Sequence, residues 1–294
     1  MNKTILVTGA KGQLGRSIQA LDKDYPSFTF TYVDIDDLNL CDAQAVEHFL
    51  EQNAFDVIIN CAAYTAVDKA ESEAELADAI NHLAVKHLAS MAKQKDIQLI
   101  HISTDYVFNG NHFQPYIETD TVDPKSVYGI TKRNGERAFQ EVAPKGIIIR
   151  TSWVYSEFGN NFVKTMLRLG QEKTALNIIF DQIGTPTYAG DLAKAILDIV
   201  QSNSIQPEHT NDPIYHYTNE GVCSWYDFAQ HIFAMNQIDC QAHPIETKDY
   251  PTAAQRPFYS VLNKAKIKTD FKLSIPYWQD SLDLCLKNLQ EQTS

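Results

Sequence analysis

The sequence predicts a doubly wound α/β fold, a parallel sheet with helices on both faces, joined to a smaller C-terminal α/β domain. Three observations point there. Short apolar, β-rich runs alternate with helical stretches through the first half of the chain, and such alternation implies a parallel sheet with right-handed crossovers. A glycine-rich turn, Gly9-Ala10-Lys11-Gly12-Gln13-Leu14-Gly15, directly follows the first apolar run. Tyr128 and Lys132 stand four residues apart, a spacing that puts both on one face of a helix.

Lys3-Thr4-Ile5-Leu6-Val7-Thr8 reads as the first strand. In the turn after it, Gly9 makes the tight bend, Gly12 lets backbone approach a pyrophosphate, and Gly15 lets the helix pack on the strand. The N-terminus of that helix offers N–H donors and a favourable dipole to phosphates. A turn without a ligand needs one glycine, not three at this spacing, so a Rossmann-type dinucleotide site is predicted. A second strand over 28–33 ends in Asp34. An acid there accepts hydrogen bonds from the ribose hydroxyls of NADH and repels the 2′-phosphate of NADPH. Lys11 and Arg16 are close enough in sequence to soften that repulsion, so NADPH and NADH both remain open. Asp36 and Asp37 read equally well as a solvated acidic loop.

Asp42 caps a helix running to about Gln52, and 57–60 is a short buried strand. A long helical region extends to about Lys95 with Asn81 inside it, and 98–103 and 146–150 are further strands. Ligands of such sheets sit beyond the carboxyl ends of the strands. The candidates are therefore Gly9 to Gly15, Asp34, residues 62–68, residues 103–106 and Trp153.

The second half is less regular. It reads as a helix over 162–172, a loop at 185–187, a helix over 191–200, a polar linker over 201–212 and a strand over 213–217. Ser224 caps a helix to about Met235, and the Pro- and aromatic-rich tail from Asp239 is expected to form a small lid. Residues 1–152 are expected to form the dinucleotide-binding domain, with about 176–200 returning to it. About 153–175 and 201–294 are expected to form the substrate-binding domain.

The 294 residues suffice for one large or two modest domains. Hydrophobic content of 44% and charged content of 21% are those of a globular protein. The net charge of −12, with no basic run and no aromatic-interleaved Lys/Arg patch, argues against nucleic acid as a partner. The N-terminus reads as a strand rather than a signal peptide, and no apolar run approaches the ~18–20 residues of a membrane span. A cytoplasmic protein without membrane contact is expected. Cys41, Cys61, Cys223, Cys240 and Cys285 are scattered, odd in number and free of Cys-x-x-Cys spacing, which favours reduced thiols over a disulfide or zinc framework. The nine histidines are likewise dispersed, and no catalytic metal is predicted.

The chemistry centres on Tyr128. A phenol's pKa is about 10, too high for acid–base work near neutrality, and a cation beside it favours the phenolate. Lys132 is that cation, and it also suits a nucleotide ribose. Thr104 follows a strand and points its hydroxyl into the predicted cleft. Alone, such a threonine is more often a cap. Together, a hydroxyl, a phenol and an ammonium polarise a carbonyl and deliver a proton to it while a nicotinamide supplies hydride.

The chain resembles the extended short-chain dehydrogenases/reductases that act on nucleotide sugars. Gly-x-x-Gly-x-x-Gly, Ser103-Thr104-Asp105-Tyr106-Val107-Phe108 and Tyr128-Gly129-x-Thr131-Lys132 carry that likeness. Thr65-Ala66-Val67-Asp68-Lys69-Ala70-Glu71, Arg150-Thr151-Ser152-Trp153-Val154-Tyr155, Gly159-Asn160-Asn161-Phe162, Asp181-Gln182-x-Gly184-x-Pro186-Thr187 and Arg256-Pro257 narrow it to the dTDP-4-dehydrorhamnose reductase family, collinearly along nearly the whole chain. The resemblance implies NAD(P)H-dependent reduction of the 4-keto group of dTDP-6-deoxy-L-lyxo-4-hexulose to dTDP-L-rhamnose, the last step in supplying that sugar for cell-surface polysaccharide. It maps the catalytic trio onto Thr104, Tyr128 and Lys132. Substrate contacts map onto Thr65, Val67, Asp68, Thr104, Asp105, Tyr106, Trp153 and Arg256. Cofactor contacts map onto Gly9, Gly12, Gln13, Leu14, Gly15, Asp34, Ile35, Asn39, Leu40, Ala62, Ala63, Tyr64, Tyr128 and Lys132.

Arg256 suits a diphosphate, whose oxygens a guanidinium fork matches, or a surface salt bridge. Trp153 suits stacking on the ligand or core packing, and Asp68 a sugar hydroxyl or a helix start. Two departures stand out. Arg16 occupies a place where an acid would be needed to share a dimer-bridging metal, and Asn39 rather than an acid lies near the adenine pocket. A monomer or homodimer is expected. A sugar 4,6-dehydratase would follow the active-site Thr with Asp-Glu, whereas Tyr106 follows Asp105 here. A 4-epimerase shares Tyr128 and Lys132 but not the segments around Trp153 and Arg256. A non-catalytic nucleotide-binding subunit has no need of the intact trio.

Overall fold

The computed structural model describes residues 2–205 and 211–293. The first half runs β1 (Lys3–Thr8), α1 (Gln13–Leu21), β2 (Phe28–Val33), α2 (Ala43–Gln52), β3 (Val57–Asn60), α3 (Val67–Ala70), α4 (Ala74–Asp78), α5 (Ala84–Gln94), β4 (Gln98–Thr104), α6 (Val127–Val142) and β5 (Gly146–Thr151). The second half continues through β6 (Val154–Tyr155), α7 (Phe162–Glu172), β7 (Ala175–Ile179), β8 (Ile183–Gly184), β9 (Thr187–Tyr188) and α8 (Ala189–Ser202). It ends with β10 (Ile214–His216), β11 (Cys223–Ser224), α9 (Trp225–Met235), β12 (Gln241–Ile245), α10 (Ala265–Phe271) and α11 (Trp278–Thr293).

Six parallel strands form the central sheet in the order β10-β5-β4-β3-β1-β2. Its strands are apolar on both faces, as burial between two helical layers requires. Ile5, Val7, Val57, Ile59, Ile147 and Ile149 pack toward α1, α8 and α10. The alternate residues Leu6, Ile58, Leu99 and Ile148 pack toward α2, α5 and α6. This period of two follows from the pleat. The chain steps from β1 to β2 on one side and reaches β3 on the other, so the crevice at that reversal lies above the carboxyl ends of β1 and β3.

A second core joins α7, α9 and α11 through Val163, Met166, Phe228, Ile232, Leu282 and Cys285. Two helix caps match the sequence reading: Asp42 accepts from the Ala45 N–H, and Ser224 forms a capping box with Asp227; Asn161 caps α7 in addition.

Five expectations need correction. The helical region to about 95 is three helices, with a π-helical turn over Ala79–Leu83 that places Asn81. Of the stretch 176–200, expected to return to the first domain, β7 pairs in parallel with β12 instead of joining the central sheet, whereas α8 packs against α1. β10 lies inside the segment assigned to the substrate domain yet pairs with β5 at the edge of the central sheet. It does so because Ile214 and Tyr215 bury into opposite cores and need helices on both sides. The tail from Asp239 is not one lid: β12 joins β7, Leu262 bridges to Tyr116, and α10 and α11 pack into separate cores. The expected linker is also shorter, since α8 runs to Ser202, and its residues 206–210 lie outside those described. Among the described residues no helix is long and apolar enough to cross a membrane.

Candidate active site

A cavity of about 920 Å³ runs from the glycine turn, across the carboxyl ends of β1, β3 and β4, to α6 and Trp153. Gly9 has φ +66°, and a Cβ there would lie 2.6 Å from the Ala62 backbone N. A Cβ on Gly15 would lie 2.5 Å from the Gly9 carbonyl O. Only glycine allows the turn to close on β3 and the helix to close on the turn. Gly12 is the N-cap of α1 and offers no side-chain cap, so the first turn of the helix presents its backbone to the cavity that Gln13, Leu14 and Gly15 line. This arrangement fits a dinucleotide's phosphates.

At the far end of the turn Asp34 accepts from the Lys11 N–H at 2.7 Å and from the Ile35 N–H at 2.9 Å. Ile35, 65% exposed, and Asn39 and Leu40 line the same end of the cavity. Lys11 pairs with Asp36. Arg16, with no ion-pair partner among the described residues, lines an adjoining cavity with Lys11, Tyr32 and Asp34. Both cations invoked from the sequence therefore face the Asp34 end.

Ser126 caps α6 through the Gly129 N–H, and the first turns of that helix place Tyr128 and Lys132 side by side in the cavity lining. β4 brings Thr104 and Asp105 to the same wall. Thr104 Oγ1 donates to Asp105 Oδ1 at 3.0 Å and accepts from the Tyr106 N–H at 3.2 Å, so the threonine is both a cap and a cavity residue. The Tyr128 phenol lies near the Thr104 hydroxyl, and its ring meets Tyr106 edge-on at 5.4 Å.

Electrostatics here departs from the sequence reading. Burial pushes the Tyr128 phenol up to about 12, against a smaller downward pull from Thr104, and the Asp105 charge raises it further. Lys132 is not among the groups that move it. Burial lowers Lys132 itself to about 8, opposed by Glu136, and its ammonium donates to the Ile102 carbonyl at 2.6 Å. Adjacency on a helix face is outweighed by loss of water, and Tyr128 is a protonated phenol at neutral pH. Asp105, 2% exposed, is pushed by burial up to about 7, against hydrogen bonds from Ser260 and Thr104.

Behind Thr104, on the α6 side of the sheet, lies a buried ionic network that the sequence reading missed. Arg150 Nε and Nη2 donate to the two Glu136 oxygens, each at 2.8 Å, and the Ser103 hydroxyl donates to Glu136 at 2.6 Å. Burial works to raise the Glu136 carboxyl, but the Arg150 charge and hydrogen bonds, with Ser103 and Arg133, reverse this and hold it below its ordinary value. Two signals were present in the sequence. Glu136 lies one helical turn beyond Lys132, and Arg150 ends an otherwise apolar strand, where a buried guanidinium requires a partner.

Of the other predicted residues, Ala62, Ala63, Thr65, Val67 and Tyr106 line the cavity. Tyr64 does not: its hydroxyl donates to Glu73 at 2.5 Å and its backbone is held by Asn81. Asp68 and Arg256 find each other, through bonds of 2.9 and 2.7 Å, outside the main cavity. Arg256 also shares a small cleft with Tyr106, and its hydrogen bond holds the Asp68 carboxyl below its ordinary value. Trp153 lines the cavity from a left-handed backbone conformation, φ +49°. Its ring stacks on Trp225 with centroids 3.6 Å apart. Ser152, Asn160 and Asn161, quoted from the sequence only as parts of motifs, also line the cavity. The side chain of Gln13 turns to the loop after β6, accepting from Ser156 at 3.1 Å and Asn161 at 2.9 Å. Among the described residues no three His, Cys, Asp or Glu side chains gather in a group able to hold a metal.

Residues 2–291 match the family model described as the RmlD substrate binding domain. A dTDP-4-dehydrorhamnose reductase of Aggregatibacter actinomycetemcomitans is 43% identical, spanning 95% of this chain and 96% of that protein. A solved dTDP-4-dehydrorhamnose reductase from Clostridium acetobutylicum superposes with a TM-score of 0.91 at 40% identity, covering 98% of this chain and 99% of that one. Another, from Bacillus anthracis and in complex with NADP, superposes with a TM-score of 0.91 at 35% identity, covering 98% and 100%.

Proposed function

The chain belongs to the RmlD substrate binding family, that of the dTDP-4-dehydrorhamnose reductases, and we propose on that premise that it reduces the 4-keto group of dTDP-6-deoxy-L-lyxo-4-hexulose to dTDP-L-rhamnose. It is an NAD(P)H-dependent oxidoreductase. The observation that carries the reaction is a single cavity lined by Thr104, Tyr128 and Lys132 and by the glycine turn.

A bound nicotinamide supplies hydride to the carbonyl carbon. The chain's own residues do the rest. Tyr128, protonated at neutral pH, gives its proton to the developing alkoxide, and Thr104 orients that phenol. Lys132 favours the same oxygen electrostatically and holds the ribose. Gly9, Gly12 and the first turn of α1 hold the diphosphate of the cofactor, with Asp34, Ile35, Asn39 and Leu40 at its adenosine end. Thr65, Val67, Asp105, Tyr106 and Trp153 face the sugar nucleotide. The Asp68–Arg256 pair stands at the rim, where the guanidinium is available to a second diphosphate.

We place residues 1–152 with α8 and β10 in the dinucleotide-binding domain and most of the remainder in the substrate-binding domain. A cytoplasmic monomer or homodimer suits five cysteines that are all free.

The test mixes purified protein with the freshly generated keto-sugar nucleotide and follows nicotinamide absorbance, with NADH and NADPH in turn. Oxidation with dTDP-L-rhamnose as product is expected, and the faster cofactor reports whether Asp34 or Arg16 dominates. Cofactor binding without oxidation overturns the assignment.

A further inference from the structure

The reduction consumes a proton that Tyr128, 9% exposed, must regain before the next turnover. From the phenol a chain of groups leads inward. Tyr128 lies near Thr104 on the cavity wall, though not at bonding geometry, and Thr104 Oγ1 is bonded to Asp105 Oδ1 at 3.0 Å. Asp105 Oδ2 is buried and meets no donor at bonding geometry among the described residues, although the Ser260 hydroxyl is near. No Lys, Arg or His pairs with this carboxyl among the described residues. The titratable groups that register against it are the Tyr106 and Tyr128 phenols, and Arg256 acts on Tyr106. A buried carboxyl without a cation is costly as an anion, so its neutral form is favoured, and a neutral carboxyl is a proton donor.

We propose that Asp105 is the proton reserve of the active site, recharging Tyr128 through the Thr104 hydroxyl. This rests on the reductase reading above. In the balanced step, hydride adds to the carbonyl carbon, the C=O π bond opens, and the oxygen takes the Tyr128 proton. The phenolate takes the Thr104 hydroxyl proton, and Thr104 takes the Asp105 carboxyl proton. Asp105 is left as a carboxylate and regains a proton from water when product leaves. The role differs from a sugar contact, since it requires ionisation rather than a hydrogen bond alone. Burial supplies the physical means by raising this carboxyl toward neutrality, to about 7.

Two measurements test it. The first is a pH titration of the cofactor-free, full-length protein carrying ¹³C-labelled aspartate carboxyls, followed by NMR. One aspartate titrating near neutrality, absent from Asp105→Asn, is expected. All aspartates titrating in the ordinary acidic range would overturn the proposal, and the wild-type spectrum alone decides this if the variant fails to fold. The second is the pH profile of kcat. Wild-type kcat should fall as pH rises through about 7, below the limb set by Lys132 at about 8. Asp105→Asn should lower kcat by about 10²-fold, the lower end for general acid catalysis, and should lose the lower limb. A variant with raised KM and an unchanged profile would make Asp105 a sugar contact only. A wild type that binds cofactor but never reduces the keto sugar sinks the reductase reading itself, whatever Asp105 titrates like. An active wild type with an ordinary Asp105 sinks the reserve alone.

Discussion

The two sides of the sheet at the end of β4 hold carboxylates of equal burial and opposite character. Successive residues of a strand point to opposite faces, so Ser103 meets Glu136 on the α6 side while Thr104 meets Asp105 on the cavity side. Glu136 is 0% and Asp105 2% exposed. Glu136 is gripped by a bidentate Arg150 and stays ionised, whereas Asp105 meets hydroxyls and backbone N–H groups but no cation among the described residues, and rises toward neutrality. Burial alone therefore does not decide protonation; the partner does. Pushing the pKa values of two nearby acids apart is how one site separates a structural charge from a proton donor.

The sharpest way to break this contrast is Tyr128→Phe, which acts on the cavity side only. It should lower kcat by about 10²–10⁴-fold while the unfolding midpoint and cofactor affinity hold; a near-normal rate would remove Tyr128 from the chemistry. Next, Glu136→Ala strands Arg150 without its anion. Denaturant unfolding should report a loss of about 3–5 kcal/mol, most of it recovered in the double variant Glu136→Leu with Arg150→Met. Equal stability of single variant and wild type would contradict the grip described here.

The third prediction is a pH dependence with a definite sign. Asp105 is raised from 3.8 to about 7 in the folded protein, so the native state binds the extra proton and loses stability as pH rises across that window. Asp105→Asn should match wild type near the acid end and exceed it above the window, by a few kcal/mol at most, since each pKa unit is about 1.4 kcal/mol. A stability difference that does not change with pH would show that Asp105 ionises freely. The smallest effect belongs to Gly135→Ala. The new methyl would sit 2.1 Å from the Asn81 carbonyl O, pressing α6 away from the π-helical turn at about 1–3 kcal/mol, as thermal unfolding would register.

Much of the nucleotide half was legible because its signals are local. Strand patterning, three glycines and a four-residue helical spacing are each contained in a few residues, and β1, Gly9 to Gly15, Tyr128 and Lys132 are placed accordingly. What was not legible depends on distant partners. β7 and β12 pair across a long stretch of chain, and each is too short and too half-buried to announce a sheet. Arg256 suits a diphosphate or a surface salt bridge and Asp68 a sugar hydroxyl or a helix start; that each bonds the other, 188 residues away, shows only in the fold. The mutual influence of Tyr128 and Lys132 was inferred from spacing, but their protonation is set by the depth of the surrounding fold. Glu136 and Arg150 left readable traces, an acid one turn from Lys132 and an arginine in an apolar strand, that call for each other only once β5 is known to lie beside β4.

The cleft is fastened at its two ends by different forces. Near the glycine turn, the uncharged amide of Gln13 holds the loop after β6, whereas at the far rim the fastening is the ion pair of Asp68 and Arg256. Dissolved salt weakens exposed ion pairs increasingly as its screening length shrinks, to about 3 Å at 1 M, and leaves amide hydrogen bonds largely alone. High ionic strength therefore loosens the Asp68–Arg256 fastening at the rim, while the Gln13 fastening of the loop after β6 holds.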